Sequence, residues 1–252
     1  MFKLNNKVAI VTGSGSKTGI GRNIALTLAK QGASIVVADL NAEGIQDTVK
    51  AVEAAGSKAL GVELNVTNKE SVDKMIEKVL AEFGRIDILV NNAGISQKVT
   101  VEDMTLEDMS KVFSVNMFGL FLCTQAVLKT MKEQQFGRIV SLSSVSAKRG
   151  GGVFGGAHYS ASKAAVLGFS KNLAREVATD GITVNCVAPG LVNTEIWKSL
   201  PEEDAKKVID AIPVGRPGET DEIASTIAFL VSDEASYITG EEIDINGGSH
   251  MD

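Results

Sequence analysis

Short, almost unbroken apolar runs alternate along this chain with longer stretches in which apolar residues recur every three or four positions. The runs are Lys7–Thr12, Ser34–Asp39, Lys58–Leu64, Ile86–Asn91, Gly137–Ser143, Thr183–Ala188 and Glu242–Asn246. They do not alternate apolar with polar, so they predict strands of a sheet covered on both faces. Helical periodicity lies between them, as in Ile20–Gln31, Asn41–Ala55, Lys69–Phe83 and Ala161–Thr179. Repeated strand–helix–strand units build a parallel sheet with right-handed crossovers. The expectation is an α/β fold, a doubly wound parallel sheet in a single domain spanning 1–252. The polar segment 195–217, bounded by Pro189-Gly190 and Pro213, breaks the rhythm and predicts a flap over a site.

Length and composition narrow the function. One α/β domain commonly fills 252 residues, and 44% hydrophobic content supplies its core. The net charge of −6 gives no electrostatic support for nucleic-acid binding. With only His158, His250, Cys123 and Cys186 at such spacing, no zinc site is expected, and no metal of any kind. The cysteines sit in apolar stretches and read as buried free thiols, which suit a reducing compartment. No basic leader and no run of 18 apolar residues occurs, so no membrane association is expected and the protein reads as cytoplasmic. Gly248-Ser249-His250-Met251 looks like a cloning scar, but at the C-terminal end it is taken as native.

Candidate chemistry gathers where strands end. Gly13-Ser14-Gly15-Ser16-Lys17-Thr18-Gly19-Ile20-Gly21 follows the first strand and opens a helix. Glycines there let the backbone turn tightly and approach a pyrophosphate held at the helix N-terminus. Ser16-Lys17-Thr18 also resembles the end of a P-loop. That motif needs glycines where Val11 and Ser16 stand, so the reading is set aside. Asp39 ends the second strand, eighteen residues after Gly21. A carboxylate there accepts ribose hydroxyls and repels a 2′-phosphate, which favours NAD over NADP; it could also cap the following helix. Lys17 argues the other way, since a cation in the loop can pair with that phosphate. Asn91-Asn92-Ala93-Gly94 follows the fourth strand, where small residues let a cofactor lie close. Tyr159 and Lys163 stand four apart, on one helix face. A neighbouring ammonium is expected to lower the Tyr159 pKa and fit it to move a proton on and off an alcohol oxygen.

Together these residues resemble the short-chain dehydrogenase/reductase family, in its branch of about 250 residues. The resemblance extends through Asn116, Ser143-Ser144, Pro189-Gly190 with Thr194, and Ile238-Thr239-Gly240. It implies a Rossmann-like fold, usually tetrameric, that transfers a hydride between a nicotinamide and a carbonyl/alcohol pair. On this resemblance Tyr159 is the proton donor and acceptor, and Lys163 lowers its pKa and binds the nicotinamide ribose. Ser144 bonds the substrate oxygen, with Ser146 the alternative, and Asn116 holds a relay water. The cofactor is expected against Gly13, Ser16, Gly19, Ile20 and Gly21 in the loop, and against Asp39, Leu40, Asn65 and Val66 on the adenine side. Asn92, Ala93, Gly94, Tyr159 and Lys163 follow at the centre, and Pro189, Gly190, Val192 and Thr194 at the nicotinamide end. Three features depart from the family pattern. Five residues, not three, separate Gly13 from Gly19, and the surplus is expected to bulge outward. Asn65 replaces a common aspartate. The span from serine to tyrosine is lengthened through Lys148-Arg149-Gly150-Gly151-Gly152.

The substrate pocket is expected among Ser146, Arg149, Val153, Phe154, His158, Glu195, Ile196 and Trp197. This polar and aromatic mix points to a small hydroxylated substrate, a polyol, sugar or small hydroxy compound, rather than a long acyl chain. Lys148 and Arg149 could clamp an anion, or form a solvated basic loop. The leading expectation is NAD-dependent oxidation of such a secondary alcohol, or the reverse reduction of its ketone. The alternatives are a 3-oxoacyl-carrier-protein reductase, which in this family usually prefers NADPH, and a non-catalytic NAD-binding sensor or scaffold. A homotetramer is expected, because Val166, Leu167, Phe169 and Leu173 occupy more than one helix face and Ile238–Ile245 is also apolar.

Overall fold

In a computed structural model the chain is described over residues 2–151, 154–195 and 202–251. Seven strands form one parallel sheet: β1 (Val8–Thr12), β2 (Ser34–Asp39), β3 (Ala59–Glu63), β4 (Ile88–Asn91), β5 (Gly137–Leu142), β6 (Ile182–Pro189) and β7 (Glu242–Ile245). The order is β3-β2-β1-β4-β5-β6-β7. Each apolar run is a strand because both its faces are covered, and the central strands β1, β4, β5 and β6 are buried at every position. The helices are α1 (Ile20–Lys30), α2 (Ala42–Ala54), α3 (Lys69–Phe83), α4 (Leu106–Phe113), α5 (Leu120–Gln134), α6 (Ser146–Arg149), α7 (Ala157–Val177), α8 (Glu202–Asp210) and α9 (Thr220–Leu230).

Two apolar layers sandwich the sheet. On one side Ile24 and Leu28 of α1 meet Ile223 and Ile227 of α9. On the other, Met75 and Val79 of α3, Val127 and Met131 of α5 and Leu173 of α7 close over the remaining strands. Strand order reverses between β1 and β4, so the loops leaving their carboxyl ends diverge around a crevice. Leu106–Gln134 is long and apolar enough, by length and composition, to cross a membrane. In the fold its inner stripe, Cys123, Val127 and Met131, packs into the core. Cys123 and Cys186 are buried free thiols, and burial pushes them up to about 12 and about 11.

One feature differs from the sequence expectation. The long helix begins at Ala157 rather than Ala161, after Gly156, which puts Tyr159 in its first turn. The segment 195–217, polar and helical in its sequence pattern, carries helix α8, and Val192 bridges Gly218.

Candidate active site

The crevice is laced together by backbone groups. Gly13 has φ +66°, and a Cβ there would stand 2.8 Å from the Ala93 Cα. Asn92 Nδ2 donates to the carbonyls of Thr12 (2.9 Å) and Gly13 (2.8 Å), while Thr12 Oγ1 accepts from the amides of Asn92 and Ala93, both at 3.1 Å. At Gly21 a Cβ would lie 2.4 Å from the Gly13 carbonyl oxygen, so the helix can start this close to the turn only with glycine there. α1 has no side-chain cap at Gly19 and no acidic residue in its first turn. Its N-terminal amides are open to an anion. The longer loop splits in two. Ser14 turns inward, donating to Val11 O at 2.7 Å and accepting from Ala38 N at 3.2 Å. Ser16, Lys17 and Thr18 do bulge into solvent.

Asp39 Oδ2 accepts from the Gly15 amide at 2.8 Å and Oδ1 from the Asn41 amide at 3.0 Å. The cap of α2 is Asn41, not Asp39: its side chain accepts from Gly44 N. Leu40 is exposed beside it. Lys17 reaches Asp47 at 2.9 Å, and this pairing raises its pKa. On the adenine side Asn65 turns its side-chain oxygen onto Thr67, to the amide at 3.0 Å and the hydroxyl at 2.8 Å. The acceptor expected to face a cofactor is therefore engaged locally. Val66 is buried beneath it.

β5 and α7 bring Ser144, Tyr159 and Lys163 together. Ser143 spends its hydroxyl proton on Lys163 O at 3.1 Å. Ser144 hydrogen-bonds the Tyr159 phenol and accepts from the Ser146 amide at 3.2 Å. The serine beside the tyrosine is thus Ser144, and Ser146 lines the cleft next to it. Lys163 Nζ donates to Leu142 O at 2.7 Å and lies 5.9 Å from the centre of the Tyr159 ring. Burial pushes it down to about 8. The expected fall in the Tyr159 pKa is not found. Burial raises it, and the Ser144 hydrogen bond only partly offsets this. Desolvation disfavours the charged form of each group and is the largest cause for both.

Asn116 sits in a π-helical turn, Ser114–Gly119, between α4 and α5. Its Oδ1 accepts from Ile95 N at 2.8 Å, and its Nδ2 donates to Ile95 O and Ser162 Oγ, both at 3.0 Å. A Cβ at Gly94 would come within 3.3 Å of Asn116 Oδ1 and 3.5 Å of Lys163 Nζ. The missing side chain leaves a flat seat over both. A bare-backbone turn, an uncapped helix N-terminus, a carboxylate at the end of β2 and this seat fit a dinucleotide.

The cleft that holds this seat has a volume of about 310 Å³, shared between cofactor and substrate, since Ile20, Asn92 and Gly94 line it too. Pro189, Gly190, Val192 and Thr194 wall one side; Ser146, Arg149 and Phe154 stand on the other. Ile95, Leu191 and Val208 line it too, and the sequence reading missed them because it considered only stretches beside Ser144, Tyr159 and Thr194. His158 does not line the cleft. It is fully buried on the far side of the first turn of α7, with Nε2 3.4 Å from Gln97 Oε1. Gln97 in turn donates to Asp108 Oδ1 at 2.5 Å, and hydrogen bonds from Thr105 and Gln97 hold Asp108 down at about 2. Ser96 donates to Phe154 O at 2.6 Å, tying the same loop to the cleft rim. Glu195 is exposed outside the lining. Val153, Ile196 and Trp197 lie outside the described residues.

Comparison with known proteins agrees with this geometry. A family model described as Enoyl-(Acyl carrier protein) reductase matches residues 13–250. The chain belongs to the short-chain dehydrogenase/reductase family and is a nicotinamide-dependent oxidoreductase. It is 43% identical, over 98% of both chains, to (2S)-[(R)-hydroxy(phenyl)methyl]succinyl-CoA dehydrogenase subunit BbsD of Thauera aromatica. It is 42% identical to 3-oxoacyl-[acyl-carrier-protein] reductase FabG of Escherichia coli, over 99% of this chain and all of that one. The solved structure of gox2181 superposes with a TM-score of 0.94 at 37% identity, covering 98% of this chain and 97% of that one. The printed name of the Escherichia coli relative matches the carrier-protein reductase alternative better than the polyol or sugar dehydrogenase that the sequence put first.

Proposed function

We propose that this protein interconverts a 3-oxoacyl thioester and its 3-hydroxyacyl form, with NAD as the hydride carrier. The observation that carries the reading is the pair of full-length relatives above, both named for acyl thioesters bearing a carbonyl or hydroxyl. The cleft supports it. Ile95, Leu142, Leu191, Val192 and Val208 give an apolar wall that a polyol would not use.

A nicotinamide bound at the Gly94 seat would supply or accept the hydride. In reduction, the substrate oxygen lies between Ser144 and Tyr159; Ser144 donates a hydrogen bond, and the Tyr159 phenol delivers the proton as charge builds on oxygen. Lys163 holds one donor on Leu142 O and has two more to stabilise the tyrosinate that remains. In oxidation the same groups act in reverse, and Tyr159 takes the alcohol proton. Asp39 on the Gly15 amide, with Lys17 drawn off to Asp47, supports NAD over NADP. Exposed Leu106, Phe118 and Phe121 on the outer side of α4 and α5 support a homotetramer, which light scattering would report as about four times 26.5 kDa.

The test is absorbance of reduced nicotinamide with short 3-oxoacyl thioesters of N-acetylcysteamine and CoA, set against a panel of sugars and polyols. Thioester turnover at least tenfold above any sugar or polyol is expected. Polyol oxidation without thioester turnover would overturn the reading.

A further inference from the structure

The cleft carries a cation that the hydride chemistry does not use. Arg149 ends α6, one helical turn beyond Ser146, and lines the cleft together with Ser144, Ser146 and Phe154. Among the described residues its guanidinium makes one hydrogen bond, from Nη1 to the Ser249 carbonyl at 3.3 Å. A guanidinium has five N–H donors, so four remain. Its neighbour Lys148 is committed elsewhere, to Asp244 at 2.9 Å and Glu242 at 3.6 Å. Among the described residues lining the cleft there is no Asp or Glu, and the other charged side chain is the buried Lys163. The chamber is therefore cationic at two points and anionic at none.

The Arg149 position is also built. Asn246 Nδ2 donates to His250 O at 3.1 Å, and Asn246 Oδ1 accepts from Gly248 N at 2.9 Å, folding the C-terminal tail back on itself. The folded tail presents the Ser249 carbonyl to Arg149. This contact holds the guanidinium at the rim with most of its donors unspent. A cationic substrate would be repelled by such a group, and a neutral acceptor would gain less from it than an anion. A carboxylate or phosphate would be bound in the bidentate geometry that arginine favours.

We propose that Arg149 is a specificity-determining residue that receives an anionic oxygen group of the substrate, with a carboxylate at the far end of the acyl chain as the favoured source. The inference rests on the acyl-thioester reading for its substrate class. The second source of the same chemistry is a phosphate of the thioester carrier. Four substrates separate them: a 3-oxoacyl chain ending in a carboxylate or in its methyl ester, each as the N-acetylcysteamine thioester, which has no phosphate, and as the CoA thioester.

For a carboxylate, Arg149→Ala should lower the acid-over-ester ratio of kcat/KM about 10- to 100-fold on both carriers, mainly through KM. Arg149→Lys should restore part of it. For a phosphate, the CoA-over-N-acetylcysteamine ratio falls instead, whichever acyl end is present; the anion site stands and its favoured source is wrong. If neither ratio moves by threefold, the proposal is overturned. Should no thioester turn over at all, the proposed function falls by itself. The anion site is then read from the thermal shift given by glutarate against neutral diethyl glutarate. Stabilisation by glutarate alone, lost in Arg149→Ala, supports the site; an equal shift in wild type and variant refutes it.

Discussion

Two polar clusters at opposite ends of the parallel sheet are bonded in opposite ways. At the amino end of β4, Asp87 is fully buried and its carboxylate is fully engaged. It takes two bonds from Arg85, at 2.6 and 2.8 Å, and one from the Val8 amide at 2.8 Å. Gln134 likewise spends both ends of its amide on the backbone of Ile86. At the carboxyl end capacity is held in reserve, both in buried Lys163 and in Arg149 at the exposed rim. Lys163 uses one donor of three, Arg149 one of five, and the first turn of α1 stands uncapped. A saturated network adds stability and specificity of fold. A buried unsaturated one costs stability. Unspent groups are not confined to this end, since Arg138 Nε and Thr183 Oγ1 at the amino ends of β5 and β6 are buried without a partner among the described residues; what sets the carboxyl end apart is that its spare donors line the cleft.

The largest test of that contrast is Tyr159→Phe. The ring still packs, so the fold and cofactor binding should survive, while turnover falls by about 10²–10⁴-fold; near-wild-type kcat would refute the proton path. At the saturated end, Asp87→Ala should do the reverse. It strands the Val8 amide and Arg85, costing about 2–4 kcal/mol, or a melting temperature lower by about 5–15 °C. Assayed well below that temperature, kcat should change by less than twofold; a selective loss of kcat would dissolve the distinction between the two ends. Asp39→Ala should shift the NADP-over-NAD ratio of kcat/KM upward by about tenfold, read from initial rates with each cofactor. A wild type that already prefers NADP would show that Lys17 dominates.

The smallest effect is in pH. Lys163 is held at about 8 in the fold and lies near 10.4 when unfolded. Between those values the unfolded chain binds the extra proton, so this residue makes cofactor-free protein more stable as pH rises. Cys123 and Cys186, raised by burial, act the other way above their free-thiol range. The wild-type advantage over Lys163→Met in melting temperature should therefore grow from pH 7.5 to pH 10, a comparison in which the cysteines largely cancel. A constant difference would mean that Lys163 does not titrate there.

Strands were legible because a parallel sheet demands apolar runs on both faces, and Val8–Thr12 or Ile182–Pro189 can hardly be anything else. The glycine loop and the Tyr159–Lys163 spacing were legible for a similar reason: local backbone geometry leaves few alternatives. What escaped depends on distance in space. The direction of the Tyr159 pKa is set by the pocket closing over it, not by the lysine four residues on. His158 looked like a substrate contact by adjacency to Tyr159, but it lies on the opposite side of the turn, against Gln97. The apolar wall of the cleft comes from Ile95, Leu191 and Val208 on three separate segments, which no single stretch of sequence displays. Gly155 and Gly156 concealed the true start of α7.

The π turn at Ser114–Gly119 acts as a phase shifter. An α-helix advances each side chain by about 100° around its axis, and one wide turn inserts a residue without extending the rod by a full turn. α4 and α5 therefore run as one continuous rod whose two halves are out of step. That offset lets Cys123, Val127 and Met131 keep their stripe on the sheet while Asn116 swings to clasp Ile95 from both sides. Removing a single residue from the turn would bring the halves back into step. α4 would then rotate against α5, and Asn116 would leave Ile95 while every strand stayed in register. In this stretch of chain, insertions and deletions are a harsher hazard to the active centre than substitutions.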